Sequence, residues 1–499
     1  MEQGYRTISR KTLRPLQKDI RKITFLCKAE CSRKRIIQYS IMIKFGTDGW
    51  RARIAEEFNF DNVRRVAKAH AEVLKEKGVK RVIVGYDWRF RSEDFAKAVY
   101  DVFRSEGLEA KLVGSACTTP MVSFAVKYLG YENGVMITAS HNPPAYNGYK
   151  IKESFGGSAT PEFVKNVEEK VKDIESVEIK EFEPEYQEVR KKYVEKIREF
   201  FDMDLFKEKK TLVVHDSMHG TSSGLLDFVL RDTKVSVINI RKDRDPLFGG
   251  HPPEPIEKYM EITKEKVRAL GAELGIANDG DGDRIALVDD KGNYVNTQLI
   301  YAMLLLHLLE NKGKRGKVVK TVSTTYLADR ICKEFGVPLI EVGVGFKNIN
   351  EIILKEGGVI FGGEESGGYG IPEYLPERDG IFSALNILEL LYLKDKKVSE
   401  VVAEIFERFG EAYYKRVDLR VKEKIKGRIK ELKENPPERI GEFKVREVKT
   451  IDGVKFVFED DSWLLMRPSG TEPLIRVYAE TPTKEEVEKI IQKGLELLK

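Results

Sequence analysis

Cysteine is scarce, with four scattered residues in a chain of 499. So few excludes an extracellular disulfide framework and points to a reducing, cytoplasmic setting. No apolar run approaches the ~20 residues needed to cross a bilayer, so a membrane partner is not expected. A basic body is lacking too. Residues 1–41 hold 11 Lys/Arg against 3 Asp/Glu, a charge of +8, while the whole chain carries +5, leaving −3 for residues 42–499. The basicity belongs to the N-terminal tail, and the body gives no electrostatic reason to expect nucleic acid. Cys27 and Cys31 lie in that tail without the partner Cys or His pairs of a metal site. The tail's shortage of acids fits a targeting arm. Alternatively Met42, directly before the strand pattern Ile43-Lys44-Phe45, is the start of the protein.

What is present is a well-mixed globular composition, 41% apolar and 33% charged. The charged share leans towards a heat-stable source, and the length suits three or four domains, each with its own core. From residue 43, helix-like and strand-like patterns alternate, which predicts a mostly parallel sheet with covering helices. Asp61 is placed to cap a helix carrying Val63, Val66, Ala67, His70 and Leu74 on one face, with His70 a core residue. Ser92 is placed to cap the next, with Phe95, Val99 and Phe103 inward. Texture changes divide the chain into a tail (1–41) and segments 42–180, 181–295, 296–410 and 411–499. The last has alternating strands and a final helix from Lys484, the mark of a small α+β domain.

Short apolar strands repeatedly open onto polar, glycine-rich loops, and in doubly wound sheets such loops bind ligands. Thr138-Ala-Ser-His-Asn-Pro143 places the Ser140 hydroxyl and the His141 imidazole at a strand end, where a serine becomes a nucleophile if a base or metal stands beside it. Asp279-Gly-Asp-Gly-Asp-Arg284 puts three carboxylates at alternate positions around glycines, a wrap for one hard cation. A calcium EF-hand requires Gly and Glu where this chain has Arg284 and Asp290, so octahedral Mg²⁺ completed by a phosphate oxygen fits better, with Arg284 reaching the same phosphate. Gly363-Glu-Glu-Ser-Gly-Gly368 offers Glu364, Glu365 and Ser366 to vicinal sugar hydroxyls. Arg467-Pro-Ser-Gly-Thr-Glu-Pro473 combines a guanidinium, two hydroxyls and exposed backbone, a phosphate cradle.

These loops, in this order and together with Phe45-Gly-Thr-Asp-Gly-Trp-Arg51, resemble the α-D-phosphohexomutase superfamily, the phosphoglucomutase/phosphomannomutase enzymes, over residues 43–499. The resemblance implies an α/β fold: four domains around a central cleft, three similar α/β domains with mixed sheets plus a smaller α+β C-terminal domain. It implies an enzyme, a monomer or homodimer, that interconverts hexose 1-phosphate and hexose 6-phosphate through phosphorylated Ser140 and a bound hexose 1,6-bisphosphate. Mg²⁺ would be held by Asp279, Asp281, Asp283 and an oxygen on Ser140. Arg51 and Arg284 match arginines near the reacting phosphate. Arg467, Ser469, Gly470 and Thr471 would grip the distal one, and Glu364 and Ser366 would bind sugar. His141 and Lys150 match basic residues near the serine. Gly368 stands where the phosphomannomutase-like branch has a histidine proposed as acid/base. Lys347, in Gly343-Val-Gly-Phe-Lys347, matches a lysine of the phosphoglucomutase-like branch. Glucose is thus the expected sugar, with mannose possible within the family, glucosamine phosphate an alternative, and a sugar phosphatase the rival reaction.

Overall fold

In the computed structural model the structure describes residues 43–178, 180–420, 424–468 and 474–498. Four sheets follow one another along the chain. The first contains β1 (Trp50–Arg53), β2 (Arg81–Tyr86), β3 (Glu109–Val113), β4 (Asn133–Ile137), β5 (Tyr146–Lys152) and β6 (Tyr186–Gln187), in the order β1-β5-β4-β2-β3-β6. The second contains β7 (Thr211–Asp216), β8 (Val235–Ile240), β9 (Leu274–Asn278), β10 (Ile285–Val288) and β11 (Tyr294–Val295), in the order β11-β10-β9-β7-β8. The third contains β12 (Lys317–Thr321), β13 (Leu339–Val342), β14 (Val359–Gly363) and β15 (Tyr369–Gly370), in the order β13-β12-β14-β15.

One four-strand unit recurs in all three. A central strand (β2, β7, β12) pairs in parallel with the next strand on one side and the one after on the other. That last strand (β4, β9, β14) then turns back into an antiparallel neighbour (β5, β10, β15). The sheets are therefore mixed, where the helix–strand alternation had predicted mostly parallel ones. Strands β4 and β9 are buried at every residue, as expected of interior strands with both faces covered.

The fourth sheet is antiparallel throughout: β16 (Tyr413–Arg420), β17 (Arg439–Ile440), β18 (Phe443–Lys449), β19 (Val454–Phe458), β20 (Trp463–Pro468) and β21 (Leu474–Thr481), in the order β16-β21-β20-β19-β18-β17. The closing helix spans Lys484–Leu497. Each sheet keeps a small apolar cluster of its own on one face. The largest cluster is shared, joining Met136, Ile276, Phe361 and Leu465 from all four. The expectation of one core per domain thus holds on one face only. No described helix is long and apolar enough to cross a membrane.

Two helix starts differ from the sequence reading. The helix Phe60–Glu76 is capped by Asn59, whose side chain accepts from Asn62 N at 2.9 Å, and Asp61 lies inside its first turn. Ser92 is the first residue of the helix Ser92–Ser105, and its hydroxyl donates to Asp87 at 2.6 Å instead of capping. Asn and Asp are near-equal capping residues, so type alone does not choose between positions two apart. His70 is in the core, as expected, against the Tyr149 hydroxyl at 2.9 Å. Asn59→Ala is expected to cost about 1 kcal/mol and Asp61→Ala less than about 0.5 kcal/mol. Thermal unfolding midpoints of the two variants check the order.

Candidate active site

The turn from β4 to β5 carries Ser140. Its backbone is left-handed, φ +53°, a strained conformation for a residue with a side chain. Ser140 N donates to Thr138 Oγ1 at 2.9 Å, and Thr138 in turn donates to Asp87 at 2.6 Å. The Ser140 hydroxyl donates to Asp279 Oδ2 at 2.7 Å, across from the first sheet to the second. His141 Nδ1 is 3.3 Å from the same hydroxyl. Burial, with Arg284 and Arg51 nearby, pushes the His141 imidazole well below its ordinary value, so it is neutral. Arg51 reaches the turn through Asn142 at 2.8 Å.

The turn from β9 to β10 carries the three aspartates. Gly282 takes φ +71°, which allows so tight a turn. At Gly280 a side-chain carbon would stand 2.7 Å from the Ser140 carbonyl oxygen, so a glycine lets the two turns touch. Asp279, Asp281 and Asp283 are buried and each offers an oxygen within 4.8 Å of the others. Burial and the charges of Asp281 and Asp283 hold the Asp279 carboxyl well above its usual range. The helix Thr119–Tyr128 points its N-terminus at this turn: Thr119 N donates to Asp281 O at 2.9 Å and its hydroxyl to Asp281 Oδ2 at 2.6 Å.

Lys150, on β5, lies 2.7, 2.8 and 2.9 Å from Asp48, Asp281 and Asp283. Burial works against its charge, but those carboxylates outweigh it and raise its pKa above the ordinary value. Even so, Asp281 Oδ1 and Asp283 Oδ1 are buried without a hydrogen-bond partner among the described residues. An unmatched carboxylate oxygen in a dry site is costly. Clustered hard oxygen donors left over in this way fit a small divalent cation such as Mg²⁺. Arg284 borders the triad with its Nε also buried and unmatched, and its nearest carboxylates, on Glu254 and Asp283, are 4.0 Å away.

The turn from β14 to β15 carries Glu364, Glu365 and Ser366. Glu364 accepts from Gly345 N at 2.9 Å, and burial raises its carboxyl to about 7 despite the opposing Arg378. The Ser366 hydroxyl is buried without a partner among the described residues. Glu365 faces elsewhere, accepting from the Ser323 hydroxyl at 2.7 Å. Lys347 opens the helix Phe346–Glu356 and reaches Gly46 O of the first-sheet segment at 3.3 Å. Partial burial lowers its ammonium pKa. A side-chain carbon at Gly368 would collide with the side chain of Arg378, so the absent histidine has a steric reason.

Arg467, at the end of β20, donates to Asp452 Oδ2 at 2.6 Å, and Val344 N donates to the same oxygen at 3.1 Å. This ties the fourth sheet to the segment holding Lys347. Ser469, Gly470 and Thr471 lie outside the described residues. The other sequence-selected residues lie on or beside the three described turns, with Arg467 at the end of β20.

The sequence reading missed three residues. Arg378 is buried and spans three sheets, touching Asp48 at 2.6 Å, Asp283 at 2.9 Å and Glu364 at 3.6 Å. Asp48 lies inside the motif Phe45–Arg51 but was given no role. Arg89, under the serine turn, sits in an unremarkable Asp87-Trp-Arg run. The charged triplet Glu377-Arg-Asp379 after β15 was the signal available for the first.

Comparison with known proteins agrees with this architecture. Residues 42–178, 191–292 and 296–409 match the alpha/beta/alpha domains I, II and III of phosphoglucomutase/phosphomannomutase, and residues 417–496 match its C-terminal domain. A phosphoglucomutase/phosphomannomutase of Thermococcus kodakarensis is 32% identical over 91% of this chain and 98% of its own length. A Methanosphaera stadtmanae protein named "Probable phosphoglucosamine mutase" is 34% identical over 90% of this chain and 97% of its own. Among solved structures, one described as a phosphomannomutase from Thermus thermophilus superposes with a TM-score of 0.82 at 34% identity, covering 92% of this chain and 99% of that one. With all four domains matched in order, the chain belongs to the phosphoglucomutase/phosphomannomutase family of the α-D-phosphohexomutase superfamily, enzymes that transfer phosphate within a sugar.

Proposed function

We propose that the protein interconverts glucose 1-phosphate and glucose 6-phosphate, with mannose phosphates accepted, through a phosphoryl group on Ser140 and a hexose 1,6-bisphosphate that stays bound. The observation that carries this reading is the 2.7 Å contact between the Ser140 hydroxyl and Asp279, at the edge of three buried carboxylates. Asp279, Asp281 and Asp283, with an oxygen on Ser140, would hold Mg²⁺, which when bound offsets charge on the transferring phosphoryl group.

In the first half-reaction the free sugar hydroxyl attacks the phosphorus on Ser140. A sugar O–P bond forms, the P–Oγ bond breaks, and one proton passes in net from the sugar to Ser140 Oγ. The protonated serine is then the donor to Asp279. Lys347 is the group proposed to take the sugar's proton, because partial burial favours its neutral form. Lys150 stays an ammonium among three carboxylates and serves as fixed charge. The bisphosphate turns end for end, and Ser140 recovers a phosphoryl group from the other oxygen. Arg51 and Arg284 border the reacting end, while Arg467 with Ser469, Gly470 and Thr471 would hold the other. A phosphatase needs no such second grip.

Glucose is favoured by Lys347 and by the Glu364-Glu365-Ser366 sequence, both like the phosphoglucomutase branch. The name of the Methanosphaera relative supplies the alternative, glucosamine phosphate on the same machinery.

In a coupled assay with glucose, mannose and glucosamine 1-phosphates, each with a trace of its bisphosphate, glucose is expected to turn over fastest. Ser140→Ala is expected to turn over none of them and to gain no phosphoryl mass. Near-normal rates in that variant would overturn the phosphoserine. Lys347→Met is expected to lower kcat by about a hundredfold with little change in KM, and an unchanged kcat would remove it from proton transfer. Glu364 ionises as pH rises through about 7, and only its carboxylate accepts two hydroxyls. KM should therefore rise as pH falls from about 8 to about 6. Glu364→Gln should hold KM about tenfold high and flat over that range, as pH-dependent initial rates would show.

A further inference from the structure

The serine turn is built around a side chain that the reaction scheme leaves unused. Arg89, in the loop after β2, has no solvent exposure. Its Nη2 donates to Ser140 O at 2.5 Å and Asn142 O at 2.7 Å; its Nη1 donates to Pro143 O at 2.9 Å and Tyr146 O at 3.1 Å. Four carbonyls of one turn therefore converge on one guanidinium. Its Nε lies 3.3 Å from Asp87 Oδ2, and the ring of Phe248, from the second-sheet segment, covers its face at 4.9 Å. Asp87 also accepts from Arg89 N, Ser92 and Thr138, and Thr138 fixes Ser140 N.

Four carbonyl dipoles aimed at one buried point repel unless a cation with several fixed donors stands there. A lysine carries three donors on a single atom and cannot satisfy them in this planar spread. The same turn holds Ser140 at φ +53°, a conformation that persists only where neighbours over-determine it. The Ser140 carbonyl bound by Arg89 is also the one packed against Gly280, so its place sets the distance from Oγ to Asp279. We propose that Arg89 is a positioning residue for phosphoryl transfer: by gathering these four carbonyls it holds the Ser140 hydroxyl in register with the aspartate triad. It touches neither substrate nor phosphorus in this role. The inference rests on Ser140 being the phosphoryl carrier.

Arg89→Lys in the full chain tests it. A misplacement of about 1 Å costs transfer about a hundredfold. The expected result is a kcat lowered by about tenfold to a hundredfold per folded molecule, with KM for glucose 1-phosphate near that of the parent and a thermal midpoint lowered by the carbonyls a lysine leaves unmatched. Phosphoryl mass gained on incubation with glucose 1,6-bisphosphate should appear correspondingly slowly. A kcat within about twofold of the parent (a change under RT in energy), or a loss that only follows the folded fraction, would overturn the proposal. If Arg89→Lys does not fold, Thr138→Val, which frees Ser140 N from the same scaffold, is judged by the same two criteria. Ser140→Ala, run in parallel, separates the failures. If it is active, the carrier assignment has failed; if it is inactive while Arg89→Lys is normal, only the positioning role has.

Discussion

Four buried carboxylates, Asp281, Asp283, Glu364 and Glu377, and the half-buried Asp48 lie within reach of three cations, Lys150, Lys152 and Arg378, and the molecule is assembled around that balance. Removed from water, the acids repel one another and each is costly without a partner. The partners arrive from different sheets. Lys150 and Lys152 come from β5, with Lys152 meeting Glu377 at 2.5 Å, and Arg378 follows β15. Some pairs are local, Lys150 with Asp48 and Arg378 with Glu377, but Asp281 and Asp283 take Lys150 and Arg378 from other sheets, so the juxtaposition of sheets completes the neutralisation of the site. A site made in this way exists only in the assembled protein.

The repeated four-strand unit explains why the functional turns meet. In each of the first three sheets, the candidate site segment is the turn between the last parallel strand and its antiparallel neighbour: 138–145, 279–284 and 364–368. Carbonyl-end turns of parallel strands are where α/β sheets present ligand groups. Repeating one topology three times therefore yields three equivalent presenting positions. Each has been given different chemistry: a hydroxyl, an acidic triad, and a carboxylate with a hydroxyl. The shared apolar cluster linking Met136, Ile276 and Phe361 lies directly behind these strands and fixes their mutual placement.

Much of this was legible in the chain because the relevant spacing is local. Asp279, Asp281 and Asp283 are alternate residues, and glycines between them leave few uses for such a turn. Ser140 stood out through its position at the end of an apolar strand. Arg89 and Arg378 did not, because their meaning lies in partners that no local window contains: Arg378 meets Asp48 some 330 positions away. Lys150 is reached only through the resemblance, because two of the three carboxylates around its ammonium, Asp281 and Asp283, stand on another sheet. The first helix cap slipped by two positions because an equivalent residue, Asn59, stood nearby, whereas the Ser92 hydroxyl is drawn off to Asp87. The four strands of the recurring unit could be ordered only once pairing was visible, since hydrophobic periodicity does not distinguish a parallel from an antiparallel neighbour.

The crowding at Gly368 restricts how such a protein can diversify. Arg378 fills the space a side chain there would need, and it also bridges Asp48, Asp283 and Glu364. An imidazole installed at 368 would displace the bridge, while loss of the bridge by itself would strip Glu364 of its guanidinium and thin the positive charge around Asp48 and Asp283, which keep Lys150. A larger residue at 368 therefore demands a paired replacement at 378, each change harmful without the other. Such mutual dependence makes the two positions a single unit in any change to this loop.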